Sequence, residues 1–149
     1  MTSLTDSLTS ITNYLFDKFD STRDTYGLQD VFYGDQDSIP RSPCLCVEPG
    51  PKTRNVGGVN RRSDNTFLVY LILYHSEVRS SQTNMRDVVL LAEQIEEAVH
   101  ADPRLGGLVT HCYCSQIIPG YATKASGGQM KAARITVEGM TKTNLPPIP

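Results

Sequence analysis

The sequence has no excess of positive charge. Fourteen basic side chains stand against 16 acidic ones, for a formal net charge of −2 and an isoelectric point near 5.9. This excludes a dedicated nucleic-acid coat or a polybasic membrane binder, both basic overall, but not a local basic patch. Long apolar runs are missing too; none approaches the roughly 18 residues needed to span a bilayer. Met1-Thr-Ser-Leu-Thr-Asp-Ser-Leu8 lacks the basic and apolar regions of a secretory leader. A soluble protein made in the cytosol is therefore expected. There is no internal repeat and no low-complexity segment. What remains is a chain of 149 residues, 39% apolar and 20% charged. That is the size of one domain, with enough apolar side chains for a packed core.

Signatures of catalysis are also scarce. The chain has no Gly-x-Ser-x-Gly elbow, no His-Glu-x-x-His, no phosphate-binding Gly-x4-Gly-Lys-Ser/Thr and no dinucleotide fingerprint. Its Gly-Gly pairs lack the strand-then-helix setting that such loops need. His75, His100 and His111 show no metal-ligand spacing, and structural roles account for all three. Asp35-Gln-Asp37 is a conceivable acid–base pair, but acids beside Gly34 read first as turn formers that bond their own backbone.

The four cysteines fall as Cys44-Leu-Cys46 and Cys112-Tyr-Cys114. On a strand, residues two apart share a face. Zinc sites usually place their thiols across a turn instead. The expectation is four reduced, unliganded thiols acting as small buried hydrophobes. A zinc module built on the four is the alternative.

Leu4, Leu8, Ile11, Leu15 and Phe19 recur at helical steps, predicting an amphipathic helix over Ser3 to Asp20 capped by Thr2 or Ser3. Residues 20–27 read as a loop. Val31-Phe-Tyr33 and Cys44 to Glu48 read as strands, the second stopped by Pro49-Gly-Pro51. Lys52 to Asn65 reads as a long hairpin connection. Thr66 to His75 is the strongest strand, with Phe67, Val69, Leu71 and Leu73 on one face and Leu68, Tyr70, Ile72 and Tyr74 on the other. A strand apolar on both faces is central and needs cover on both sides. Asn84 caps a second helix running to about Ala101, with Met85, Val88, Ala92, Ile95 and Val99 as its stripe. Strands follow at Leu108 to Ile118 and Met130 to Thr141. The order α-β-β-β-α-β-β defines an α+β domain over residues 1–143, a mainly antiparallel sheet with two principal helices packed on it. Residues 144–149 form an extended, proline-rich tail.

One stretch stands out. Lys52, Arg54, Arg61 and Arg62 place four positive charges within eleven residues that contain no acid. A basic segment on an acidic chain points to an anionic partner, either phosphate or a carboxylate-rich neighbour. No aromatic interleaves with these residues, which argues against stacking on single-stranded bases.

Tyr33-Gly-Asp-Gln36, Ile39-Pro-Arg-x-Pro43 and Cys46-Val-Glu-Pro-Gly50, followed by the Tyr-rich strand to His75, form an ordered series. It continues with His100-Ala-Asp-Pro103, Leu105-Gly-Gly-Leu108, Gly120-Tyr-Ala-Thr123 and Ala133-Arg-Ile-Thr-x-Glu138. In this order the motifs resemble tail terminator (tail completion) proteins of long-tailed bacteriophages. The resemblance implies an α+β fold and no enzyme, with no catalytic residues and no cofactor. It further implies a homo-oligomeric ring, commonly a hexamer, at the head-proximal end of the tail tube. That ring stops tube polymerisation and joins the tail to the head connector. Implied partners are other copies of the chain, the tail tube protein, the connector or stopper protein, and the DNA in the channel, with no membrane. The implied location is the virion neck, after assembly in the host bacterial cytoplasm. On this reading Lys52, Arg54, Arg61 and Arg62 face either a neighbouring subunit or DNA. A stopper or adaptor of the same neck is the nearest alternative. A small cytosolic enzyme using Asp35, Asp37 or a histidine is a more distant one.

Overall fold

A computed structural model of the chain describes residues 7–57, 62–78, 84–125 and 128–144, with 57, 62, 143 and 144 described by their backbone. These residues fold as α1 (Leu8–Ser21), α2 (Arg23–Tyr26), β1 (Asp30–Tyr33), β2 (Cys44–Gly57), β3 (Arg62–Glu77), α3 (Met85–His100), β4 (His111–Lys124) and β5 (Gly128–Asn144). The expected α+β order holds, with α2 as one extra turn inside the predicted loop at 20–27. Five strands make one sheet in the order β1-β2-β3-β5-β4. Every pairing is antiparallel except β1 with β2. None of the described helices is long and apolar enough to cross a membrane.

Local chemistry sets the helix ends. Ser7 Oγ accepts the Ser10 N–H at 3.2 Å and starts α1. The predicted caps Thr2 and Ser3 lie outside the described residues. Asn84 and Asp87 exchange side-chain and backbone hydrogen bonds in a capping box that starts α3. Both helices lie on one face of the sheet, α1 over β1 and β2, α3 over β3, β5 and β4. Ile11, Leu15 and Phe19 meet Val88, Ala92, Ile95 and Val99 above Phe67, Val69, Leu71 and Leu73, and all are essentially solvent-free.

The strands run further than the sequence suggests. Pro49-Gly-Pro51 does not stop β2; the strand bulges between Pro49 and Lys52 and continues to Gly57. The reason is the length of β1, which pairs only with residues 44–47. Among the described residues the outer side of β2 has no partner strand beyond Val47, and a proline there forfeits no ladder hydrogen bond. Gly50 is required at the bulge, because a Cβ would sit 2.8 Å from the Leu68 carbonyl oxygen and 2.9 Å from the Tyr70 ring. Pro119 is tolerated inside β4 on the same principle, since β4 is the other edge.

Thus the predicted hairpin connection at 52–65 is mostly strand: β2 and β3 pair out to Gly57 and Arg62, and β5 follows them to Asn144. Residues 52–57, 62–67 and 139–144 form a three-stranded arm. The predicted tail at 144–149 has only Asn144 among the described residues, as the last residue of β5. The strand expected from Leu108 begins instead at His111, after a turn in which Leu105, at φ 46°, and two glycines carry positive φ.

Candidate functional site

The basic stretch is the first candidate. Lys52 and Arg54 are residues of β2 in the arm and face the helix side of the sheet, as their pairing with Phe67 and Asn65 requires. Lys52 Nζ lies 5.4 Å from the Phe67 ring centroid, a cation–π contact over a buried ring. Arg54 Nε donates to Asn65 Oδ1 at 3.0 Å. The same oxygen accepts from Ser63 Oγ at 3.0 Å, and Asn65 Nδ2 donates to Thr141 Oγ1 at 3.1 Å. Ser63, Asn65 and Thr141 are buried, so this ladder ties β2, β3 and β5 together. Arg62 opens β3 opposite Gly57 and Asn144, while Arg61 lies outside the described residues. Three of the four predicted basic residues are thus seated in a sheet, and two of them, Lys52 and Arg54, make side-chain contacts within it. The period-2 spacing of Lys52, Arg54 and Val56 was the available sign of a strand.

The second candidate is the sheet face opposite the helices. Leu68, Tyr70 and Ile72 are half-buried there. Tyr113 and Ile118, both 42% exposed, extend this face onto β4. A groove of about 440 Å³ runs between Ile72, Ile118, Ala122, Ala132 and Arg134. The Arg134 guanidinium lies 5.1 Å from the Tyr70 ring centroid and forms one rim. Alternation in β3 marks these residues as apolar; that no described helix covers them emerges only from the packing.

Part of this face is closed by the chain itself. The β1–β2 connection, residues 34–43, crosses over it with Ile39 against Cys44, Cys46, Tyr74, Met130 and Ala132. Tyr74 donates its hydroxyl to Asp35 Oδ1 at 2.6 Å, and Lys124 Nζ contacts the same oxygen at 3.0 Å. Lys124 also lies 4.4 Å from the Tyr74 ring centroid. Burial, followed by the Asp35 contact, pushes the Tyr74 phenol well above its ordinary value. The Asp37 carbonyl accepts the Ala125 N–H at 3.0 Å. Asp35 and Asp37 therefore pin a strap to the sheet.

The cysteine pairs separate. Cys44 and Cys46 face the strap on β2, whereas Cys112 and Cys114 face α3 on β4, with β3 and β5 between. Four thiols on opposite sides of a sheet cannot share one ion, which removes the four-cysteine zinc module. Among the described residues, no group of three or more His, Cys, Asp or Glu side chains is placed to hold a metal. The Cys44 thiol is raised by its hydrogen bond to Cys46 and by burial. Burial pushes Cys112 up to about 11 and Cys114 to about 12. The histidines are likewise dispersed. His75 Nδ1 lies 3.3 Å from Ser76 Oγ, His100 Nε2 accepts the Cys114 N–H at 2.9 Å, and His111 opens β4.

No protein-family model matches the sequence, and no curated protein matches it.

Proposed function

We propose that this chain is a structural subunit of a phage tail, forming a ring at the head-proximal end of the tail tube that stops its growth and joins it to the head connector. The observation that best supports assembly is the apolar sheet face around Leu68, Tyr70, Ile72 and Ile118, which no described helix of the same chain covers. Apolar surface of this kind commonly marks an interface on a protein. The specific assembly rests on the motif series quoted above. In that setting the arm, with Lys52 and Arg54, faces a neighbouring subunit or the DNA in the channel. The chain works in the virion and takes no cofactor.

Cryo-electron microscopy of virions encoding this chain tests the proposal. One ring of the protein at the head-proximal end of the tube is expected. Distribution along the tube, or absence from the particle, overturns the reading. A ring seated between the connector and a separate terminator reassigns the chain to the stopper role.

A further inference from the structure

The strap at residues 34–43 is fixed at its two ends and fastened separately at its middle. Both ends belong to the β1–β2 pair, where Gly34 N–H donates to the Val47 carbonyl and Gln29 N–H to the Pro43 carbonyl, each at 2.7 Å. The Arg41–Asp30 ion pair, at 2.6 Å, lies on that side too. Fastening across the sheet comes from three consecutive residues. Asp35 Oδ1 holds both Tyr74 of β3 and Lys124 of β4, Gln36 N–H donates to the Cys46 sulfur, and the Asp37 carbonyl takes the Ala125 N–H. The two covers of this sheet differ in kind. On the helix face, α1 and α3 each insert several buried apolar side chains. Of residues 34–43, Ile39 alone is a large apolar side chain, and it is only half-buried. Asp35, Asp37, Ser38, Pro40, Arg41 and Ser42 are exposed. Yet Cys44 and Cys46 beneath the strap are solvent-free. A segment held by few apolar contacts and by hydrogen bonds near its surface opens at lower cost than a packed core.

We infer that the strap is a releasable cover, which unfastens at Asp35 and swings on its β1–β2 ends while the helix-side core stays packed. Release exposes Cys44, Cys46 and Tyr74. The exposed patch is continuous with the open groove, because Ile72, Ala122 and Ala132 both line the groove and pack in the cluster beneath the strap. The groove on β4 and β5 then extends across β3 to β2 as one apolar surface. Lys124 Nζ, 4.4 Å from the Tyr74 ring centroid, keeps that aromatic partner when Asp35 departs. The strap thereby sets how much apolar surface this face offers, already in the isolated chain and independently of what the chain assembles with.

The test follows modification of each native cysteine by a thiol-exchange reagent in the folded full chain, located by peptide mass spectrometry. In Asp35→Ala, Cys44 and Cys46 are expected to react about tenfold faster or more than in the parent, with Cys112 unchanged. Asp30→Ala, which removes only the ion pair at the fixed end, is expected to leave all three protected. Continued protection of Cys44 and Cys46 in Asp35→Ala overturns the latch. Equal acceleration of Cys112 shows general loosening and overturns separate release. Acceleration in Asp30→Ala to match that in Asp35→Ala overturns the role given to Asp35. Asp35→Asn keeps an acceptor for Tyr74 without the charge for Lys124, and an intermediate rate is expected. Should Asp35→Ala fail to fold, Asp35→Asn decides by the same criteria. Binding of anilinonaphthalene sulfonate is the second measurement, and its fluorescence is expected to rise severalfold in the released chain. Exposed thiols with no rise in fluorescence overturn the joining of the covered patch to the groove.

Discussion

Tyr74, in the central strand, donates its hydroxyl to Asp35 Oδ1 at 2.6 Å, which fastens the 34–43 strap across the sheet. Tyr74 is only 2% exposed, whereas the Asp35 side chain is 35% exposed and also holds Lys124. The two ends of this bond therefore differ in what is lost when either is removed. Asp35→Ala leaves a buried phenol without its acceptor and is expected to cost about 1–3 kcal/mol. Tyr74→Phe leaves Asp35 with Lys124 and water, and a smaller loss, about 0.5–1.5 kcal/mol, is expected. Urea denaturation of both variants measures the losses; no loss in either variant would show that the strap does not depend on this bond.

The two faces of β3 predict unequal responses to truncation. Leu71 is fully buried beneath the helices, and Leu71→Ala is expected to cost about 3 kcal/mol or more. Ile72 is half-buried on the open face, so Ile72→Ala in the isolated chain is expected to cost less than half as much. Denaturant midpoints of the two variants settle the ranking.

Asn65 and Lys52 differ in what their removal costs. Asn65→Ala removes the acceptor of both Arg54 and Ser63 and the donor to Thr141, and a loss of about 2 kcal/mol is expected. Lys52→Ala removes one cation–π contact at the arm's surface and is expected to change the melting temperature little. Thermal melts compare the pair, and an Asn65→Ala protein as stable as the parent would remove the ladder from the account.

Tyr14 supplies a pH dependence. Its hydrogen bond to Asp102, with burial and the Asp102 charge adding to it, raises the phenol from 10.0 to about 12. Ionising this phenol is therefore harder in the folded chain than in the unfolded one. The resulting stability is complete below pH 10 and is lost as pH rises from 10 to 12. Tyr14→Phe is expected to flatten the stability profile across that interval, read by denaturation at fixed pH. An unchanged slope would place the titrating group elsewhere.

Thiol accessibility follows the burial of the cysteines. Cys44, Cys46 and Cys112 are buried and Cys114 is intermediate. At pH 8 a thiol-exchange reagent is expected to modify Cys114 first and slowly, because burial holds its thiol up near 12. The other three are expected to react only on unfolding. Rapid modification of all four in the native chain would contradict this packing.

Helix periodicity, the Asn84 cap and the two-faced pattern of Thr66–His75 were legible in the sequence, because each depends on spacing within one segment. From these came the α+β class and its element order. The arm was not legible, since Pro49, Gly50 and Pro51 signal a stop in any strand paired on both sides. Only the shortness of β1 makes them acceptable, and that is a fact about a different segment. The cysteine pairs showed a shared face within each pair but not which face. That depended on the register joining β2 to β3 and β4 to β5. Likewise Asp35 reads as a turn former, and its bonds to Tyr74 and Lys124 bridge 39 and 89 positions of chain. The sequence by itself determined which residues are apolar and with what period, because local backbone geometry converts period into helix or strand. The tertiary structure decided that both helices cover the same face of the sheet, because that choice is made by packing between segments far apart in the chain. It thereby decided that Leu68, Tyr70, Ile72 and Ile118 lie on the face of the sheet that no described helix covers.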